Sequence, residues 1–418
     1  MFEVLDQAIA WLESQLKFKP KSDLDRMRAA FDMAGIDASG IKKIHVAGTN
    51  GKGSVCAYLG SMFNEAGLRA GIFTSPYLLR FNERVRIGLD EIADDVLLTL
   101  INRIHGFNRR FKAEYGETLA FFELLFLLAM TYFVEEKVDV IVMEVGLGGL
   151  LDATNILDYD VSLITSIGFD HMKQLGDTLE SIAYNKLGIL KPGNHLITTV
   201  EAGLHDYFQE HLARLDHVTG VFYTHADVKK IHDLPLVFQH EGETYKVGLL
   251  GDFQMLNALL AVKAVGYLFP DIGLDTIKKG LEKATWPGRF ERMDPDKLIY
   301  LDGAHNSHAL DALAKTMPAL FPDHQVWVLF SALSDKDIKG MLAIIRRFAS
   351  KIVLTGFPDP RYVSLLPFKQ PGIDYIDDPL EAVDSMKADM DEKTVLLMTG
   401  SLHFAGYLSR MLKEAKRR

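Results

Sequence analysis

The sequence predicts an α/β protein: a large domain built on a mainly parallel sheet, followed by a smaller domain of the same class. Three observations predict it. Short continuous apolar runs recur along the chain, helical patterns lie between them, and several runs end in glycine or a small polar residue. Strands that are apolar on both faces belong to parallel sheets covered by helices on either side. In open sheets of that kind, ligands bind outside the carboxyl ends of the strands.

In chain order the strand candidates are KIHVAG (43–48), VDVIVMEV (138–145), VSLITSI (161–167), HLITTV (195–200), LIYLDG (298–303), QVWVLFS (325–331), KIVLTG (351–356) and TVLLMTG (394–400). Each is short and dense in Val, Ile and Leu. Helical stretches fall at 54–66, 121–136, 178–190, 253–268, 307–320, 338–348 and 379–390. The segment TWPGRFERMDPD (285–296) holds two prolines and a glycine, and a fresh strand–helix alternation starts after it. This places the domains at 1–291 and 292–418. A length of 418 residues suits two cores better than one.

Composition narrows the function. The 56 acidic residues outnumber 46 basic ones, for a net charge of −10, which opposes a nucleic-acid surface. The basic cluster Lys413, Lys416, Arg417 and Arg418 reads as the polar end of a last helix, complementing its dipole. Cys56 is the sole cysteine, so no internal disulfide can form, and it reads as a small buried apolar residue. The N-terminal MFEVLDQAIAWLESQLKF carries Glu3, Asp6 and Glu13 in an amphipathic pattern, unlike the basic start and apolar run of a signal peptide. Leu119–Val134 is interrupted by Glu123 and falls short of the ~20 residues that span a bilayer. The expectation is a soluble, cytoplasmic protein without membrane or nucleic-acid partners.

Four motifs carry chemistry. In HVAGTNGKGSV (45–55) an apolar strand enters a glycine-rich turn, and a lysine and a serine open a helix. Gly48, Thr49, Asn50, Gly51, Lys52, Gly53 and Ser54 would cradle phosphates with backbone N–H groups and the helix dipole. Lys52 would neutralise the β and γ phosphates, and the Ser54 hydroxyl would reach Mg²⁺. The strict G-x-x-x-x-G-K-[ST] pattern is missed because Gly53 separates Lys52 from Ser54. In VDVIVMEVGLGGLLDATN (138–155), Glu144 ends a very apolar strand, as a Mg²⁺ ligand would, or else caps a helix or faces solvent. SIGFDHMKQLGDT (166–178) puts Asp170 and His171 after another strand, for metal or for structure. LDGAHN (301–306) offers Asp302, which would accept from a ribose or cap the next helix.

Together these residues resemble the folylpolyglutamate synthase and dihydrofolate synthase family, within the wider group of Mur-type ATP-dependent amide ligases. The likeness covers nearly the whole chain: HVAGTNGKGS, TSPYLLRFNERVRI (74–87), TLAFFEL (118–124), EVGLGGLLDATN, the DHxxxLGxTxxxIA pattern of 170–183, NKLGILKPG (185–193), GDFQMLNALLA (251–261), WPGRFE (286–291), LDGAHN, FSALSDKD (330–337) and TGSLHFAG (399–406).

The resemblance implies a P-loop-type ATPase domain followed by a smaller Rossmann-like glutamate ligase domain. It also implies a ligase that phosphorylates a carboxylate with ATP and Mg²⁺, then lets the amine of L-glutamate displace phosphate. The substrate would be reduced folate, dihydropteroate or both, and the chain a monomer. Ser54 and Glu144 match ligands of one Mg²⁺, and His171 a ligand of a second. Lys52, Lys186 and His305 match catalytic positions, Lys186 being the lysine carbamylated in relatives. Gln254, Asn257, Arg289 and Asp302 match nucleotide-facing positions; Ser75, Tyr77, Phe121, Phe122 and Asp152 fall in the substrate region, while an apolar helix core explains Phe121 and Phe122 equally well. Tyr77, Leu150, Asn185 and Ser307 stand where the family often has His, Arg, Glu and Pro, which bears on substrate choice. The competing readings are a Mur-type ligase for another carboxylate and a nucleotide-binding module without catalysis. A GTPase or protein kinase would need an N-K-x-D tetrapeptide or kinase motifs that the sequence lacks.

Overall fold

The first apolar run becomes β1 (Lys42–Ala47), inside an eight-stranded sheet. Its partners are β2 (Ala70–Phe73), β3 (Val85–Ile87), β4 (Asp90–Glu91), β5 (Val140–Glu144), β6 (Val161–Ile164), β7 (His195–Thr198) and β8 (Thr219–Phe222), in the order β4-β3-β2-β5-β1-β6-β7-β8. All pairings from β2 to β8 are parallel, and β3 and β4 add an antiparallel edge. The chain leaves β1 for one side of the sheet and later returns to its other side at β6. The crevice above the carboxyl end of β1 therefore lies where strand order changes direction. The structure, a computed structural model, describes residues 1–16 and 23–415, so Lys416, Arg417 and Arg418 of the basic cluster lie outside the described residues.

Helices cover this sheet because its strands are apolar on both sides. On one face α1 (Leu5–Ser14), α2 (Asp25–Ala34), α4 (Asp94–Tyr115) and α5 (Phe121–Glu135) pack with Phe73, Ile141 and Met143. Farther along, α6 (Met172–Leu175), α7 (Leu179–Leu187) and α8 (His205–Leu212) pack with Ala47, Ile164 and Leu196. Elsewhere α3 (Lys52–Glu65) meets α10 (Leu274–Lys283), which follows α9 (Phe253–Leu268). There the Ser61 hydroxyl donates to the Gly280 carbonyl at 2.7 Å, and a Cβ on Gly280 would strike the Met62 backbone.

The chain folds into two compact units, 1–227 with 256–284, and 228–255 with 285–418. The second unit holds an antiparallel sheet of β9 (Lys229–Asp233), β10 (Leu236–His240) and β11 (Glu243–Val247). It also holds a six-stranded sheet of β12 (Glu291–Arg292), β13 (Leu298–Leu301), β14 (Gln325–Phe330), β15 (Lys351–Leu354), β16 (Ile373–Tyr375) and β17 (Thr394–Thr399), ordered β12-β13-β17-β14-β15-β16. Only β12 runs antiparallel there. The helices of this unit are α11 (Ser307–Leu320), α12 (Ile338–Ile345), α13 (Pro379–Asp389) and α14 (Leu402–Ala415). Among the described residues no helix is long and apolar enough to cross a membrane.

Candidate active site

The glycine-rich loop leaves β1 and turns into α3 through two glycines in backbone conformations that suit no side chain. Gly48 has φ 148° and would drive a Cβ into the Thr165 hydroxyl; Gly51 has φ 88° and would drive one into the Asn257 amide. The loop is tied to the end of β6: Thr49 N–H donates to the Ser166 carbonyl at 2.7 Å, and its hydroxyl donates to the Gly168 carbonyl at 3.1 Å. Gly51 is the left-handed N-cap of α3, so the helix begins at Lys52, and Ser54 lies buried in the first turn. First-turn N–H groups lack intrahelical partners and, with the dipole, favour an anion.

Two lysines meet at the mouth of this loop. Lys52 Nζ donates to the Gly48 carbonyl at 3.1 Å, and Lys186 Nζ, from the last turn of α7, donates to the same carbonyl at 2.9 Å. Lys186 is buried. Burial, and secondarily the positive charge of Lys52, lower its pKa to about 7, while Asp170 pulls the other way.

Glu144 ends β5 opposite Val46 of β1, and its Oε2 accepts from Ser75 N–H at 2.9 Å. It is buried, which removes the solvent-facing reading of this acid. A buried carboxylate and hydroxyl beside a phosphate cradle fit Mg²⁺, which takes one or two protein oxygens and completes its octahedron with phosphate and water. Among the described residues no three His, Cys, Asp or Glu side chains form a cage of their own. His171 is exposed at the left-handed N-cap of α6, where its N–H donates to Asp170 Oδ1 at 2.9 Å.

Asp152, placed in the substrate region by sequence, organises the loop after β5. Its Oδ2 accepts from Gly146 and Leu147 N–H at 3.1 and 3.0 Å, and its Oδ1 from Thr154 N–H and hydroxyl at 3.0 and 2.6 Å. Leu150 packs on Gly188, and its N–H donates to the Asn185 carbonyl at 2.7 Å. Asn185 in turn donates to the Leu175 and Ser181 carbonyls, so both departures from the family pattern are built into loop and helix packing. Phe122 packs near Phe73 (5.5 Å) and Phe121 near Phe81 (6.5 Å), while the Tyr77 hydroxyl donates to Glu13 Oε1 at 3.3 Å. At the centre of the second group lies Arg84, which sequence reasoning passed over. Its guanidinium carbon is 4.9 Å from the Tyr77 ring centre and 5.4 Å from those of Phe81 and Phe121.

In the second unit, Asp302 follows β13 and is buried. Its Oδ2 accepts from Phe290 N–H at 2.9 Å and its Oδ1 from Ala304 N–H at 2.8 Å. Burial raises its pKa, opposed by Arg289. The cap of α11 is Asn306, whose Oδ1 accepts from Ala309 N–H at 2.8 Å, so the helix-capping reading of Asp302 is corrected. His305 is half-buried, with Nδ1 2.9 Å from the Gly303 carbonyl. Gln254 and Asn257 are buried on α9, Gln254 in the second unit and Asn257 in the first.

The geometry has counterparts among known proteins. The Mur ligase middle domain model matches residues 46–265, and the Mur ligase, glutamate ligase domain model matches 288–402. The dihydrofolate synthase/folylpolyglutamate synthase of Bacillus subtilis (strain 168) is 34% identical over 440 residues, covering 99% of this chain and 100% of its own. The chain belongs to the folylpolyglutamate synthase/dihydrofolate synthase family of Mur ligases. Among solved structures, Mycobacterium tuberculosis folylpolyglutamate synthase complexed with ADP superposes on this family member with a TM-score of 0.88 at 26% identity, covering 98% of each chain. The bifunctional folylpolyglutamate synthase/dihydrofolate synthase from Yersinia pestis, complexed with AMPPNP and Mn ion, does so at 0.85 and 29% identity, again covering 98% of each chain.

Proposed function

We propose that this family member is an ATP-dependent ligase that joins the amine of L-glutamate to a carboxylate of a reduced folate or dihydropteroate. The observation that carries the reading is the meeting of Lys52 and Lys186 on the Gly48 carbonyl, with Glu144 at the neighbouring strand end. Lys52, a cation at a phosphate cradle, can hold a transferring phosphoryl group, whose charge spreads over its equatorial oxygens, with Lys186 placed beside it. The substrate carboxylate attacks the γ phosphorus, the bond to ADP breaks, and an acyl phosphate forms. The glutamate amine then adds to the acyl carbon, phosphate leaves, and the amine's proton passes to solvent. Ser54 and Glu144 would hold Mg²⁺, which supplies charge neutralisation to the phosphates.

Lys186 is proposed to react with CO₂ when its amine is neutral: the nitrogen bonds to the carbon, a proton is lost, and a carbamate remains. That would turn a cation into a metal-binding anion. Gln254, Asn257, Arg289 and Asp302 are proposed to face the nucleotide, His305 to act in catalysis, and Ser75, Tyr77, Phe121, Phe122 and Asp152 to shape the substrate region. The same reading makes the chain a cytoplasmic monomer.

Measuring ADP release with glutamate plus dihydropteroate, plus tetrahydrofolate, or without pterin tests the reading. Pterin- and glutamate-dependent release is expected, and Lys52→Ala should reduce it by at least a hundredfold, as loss of a main phosphate-neutralising group does. Release near wild type in Lys52→Ala would overturn the mechanism.

A further inference from the structure

Arg84 is 7% exposed, and its fully buried Nε has no hydrogen-bond partner. Among the described residues the side chain forms no ion pair either, and what it does meet is the faces of Tyr77, Phe81 and Phe121. Three carboxylates lie in its electrostatic neighbourhood, yet each is engaged elsewhere. Glu13 accepts from the Tyr77 hydroxyl, and Glu144 from Ser75 N–H. Glu83 accepts from the N–H groups of Leu78, Leu79 and Arg80 at 2.7, 2.7 and 2.8 Å. Burial lowers the pKa of Arg84 to about 10, so the guanidinium stays charged at neutral pH.

A buried charge without an anion is costly, and aromatic faces offset only part of that cost. The planar donors of a guanidinium match a carboxylate, and a wall of aromatic rings suits an aromatic body. We propose that Arg84 binds the carboxylate of an aromatic acid, the benzoate end of a pteroate-type substrate, with Tyr77 and Phe121 flanking its ring. The inference rests on the folate reading of the site and adds to it the residue that reads the anion. It favours a carboxylate attached directly to an aromatic ring over one at the end of a flexible glutamyl chain.

The test compares wild type with Arg84→Met and Arg84→Lys, using dihydropteroate and a pterin that lacks the benzoate as probes, each with Mg²⁺–AMPPNP. Loss of a charge-assisted hydrogen bond predicts that Arg84→Met weakens dihydropteroate binding by roughly tenfold or more. Binding of the neutral pterin should stay within about twofold, since it offers no anion to this guanidinium. Arg84→Lys should fall between, because it keeps the charge but loses the planar fork. The melting temperature of ligand-free Arg84→Met should equal or exceed wild type, since an unpaired buried charge has been removed. Equal weakening of both probes, unchanged dihydropteroate binding, or a lower melting temperature with intact binding would assign Arg84 to structure alone. Should Arg84→Met fail to fold, the structural role stands, unless Arg84→Lys folds and selectively loses dihydropteroate. Wild-type ADP release separates the two ideas: if it is absent with every pterin, the folate reading itself fails.

Discussion

Burial and the neighbouring Lys52 hold Lys186 near pH 7, which makes its protonation a variable in both stability and chemistry. The unfolded lysine titrates near 10.5 and the folded one at about 7. Between those values the unfolded chain holds a proton that the folded chain has shed, so this residue's contribution to stability rises with pH across that window. Below pH 7 both states are protonated and the full cost of a buried ammonium is present. Lys186→Met should therefore be stabilised relative to wild type most at pH 6, with the difference shrinking toward pH 10; denaturant unfolding at several pH values measures it. A constant offset would mean that Lys186 is not held near neutrality. The glycine-rich loop was legible because its cradle is written in consecutive residues. Arg84 was not, since only packing brings Tyr77, Phe81 and Phe121 around it and leaves it unpaired. The sequence left Asp302 open between ribose acceptor and cap, and the Asn306 hydrogen bond decided against the cap.

At the scale of elements, α5 shows how a single buried acid can define where a helix starts. Glu123 is 1% exposed; its Oε2 accepts from Ala120 N–H at 2.8 Å, and Arg26 of α2 donates to its two oxygens at 2.9 and 3.3 Å. The same acid that broke the apolar run Leu119–Val134 in the sequence thus caps the helix and joins it to α2. Glu123→Ala leaves Arg26 without its main partner and the helix end uncapped, which should cost about 3 kcal/mol. Glu123→Gln keeps an acceptor without the charge and should cost about 1–2 kcal/mol. Urea denaturation distinguishes them, and equal costs would deny the ion pair a role. Sequence reading found α9 and α11 at their observed bounds because their apolar pattern is dense. It passed over α4, whose stripe of seven buried residues is diluted among charged ones, and the short strands β9 and β11. It also ran β6 on to Ile167, where the structure turns at Thr165 to meet the glycine-rich loop.

The whole chain holds more than one core, and this has a thermodynamic consequence. Phe126 and Phe133 belong to the core of the first unit, Phe330 and Leu397 to that of the second. The units are not one continuous stretch each, because residues 228–255 group with the second unit while 256–284 group with the first. Nothing in the local composition of β9–β11 marks that excursion. Chains with separate cores need not unfold in one step, and a ligand stabilises the state it binds. Calorimetry should show two transitions. Mg²⁺–AMPPNP at a hundredfold excess over its Kd adds about 2.7 kcal/mol, which for a unit of this size raises the melting temperature by roughly 5–10 °C. The increase should fall chiefly on the transition of the unit that carries Gly48–Ser54, and Lys52→Ala should abolish most of it. A chelator should remove the part that depends on Ser54 and Glu144. Should the shift survive in Lys52→Ala, the nucleotide would have to be held by something other than the loop after β1.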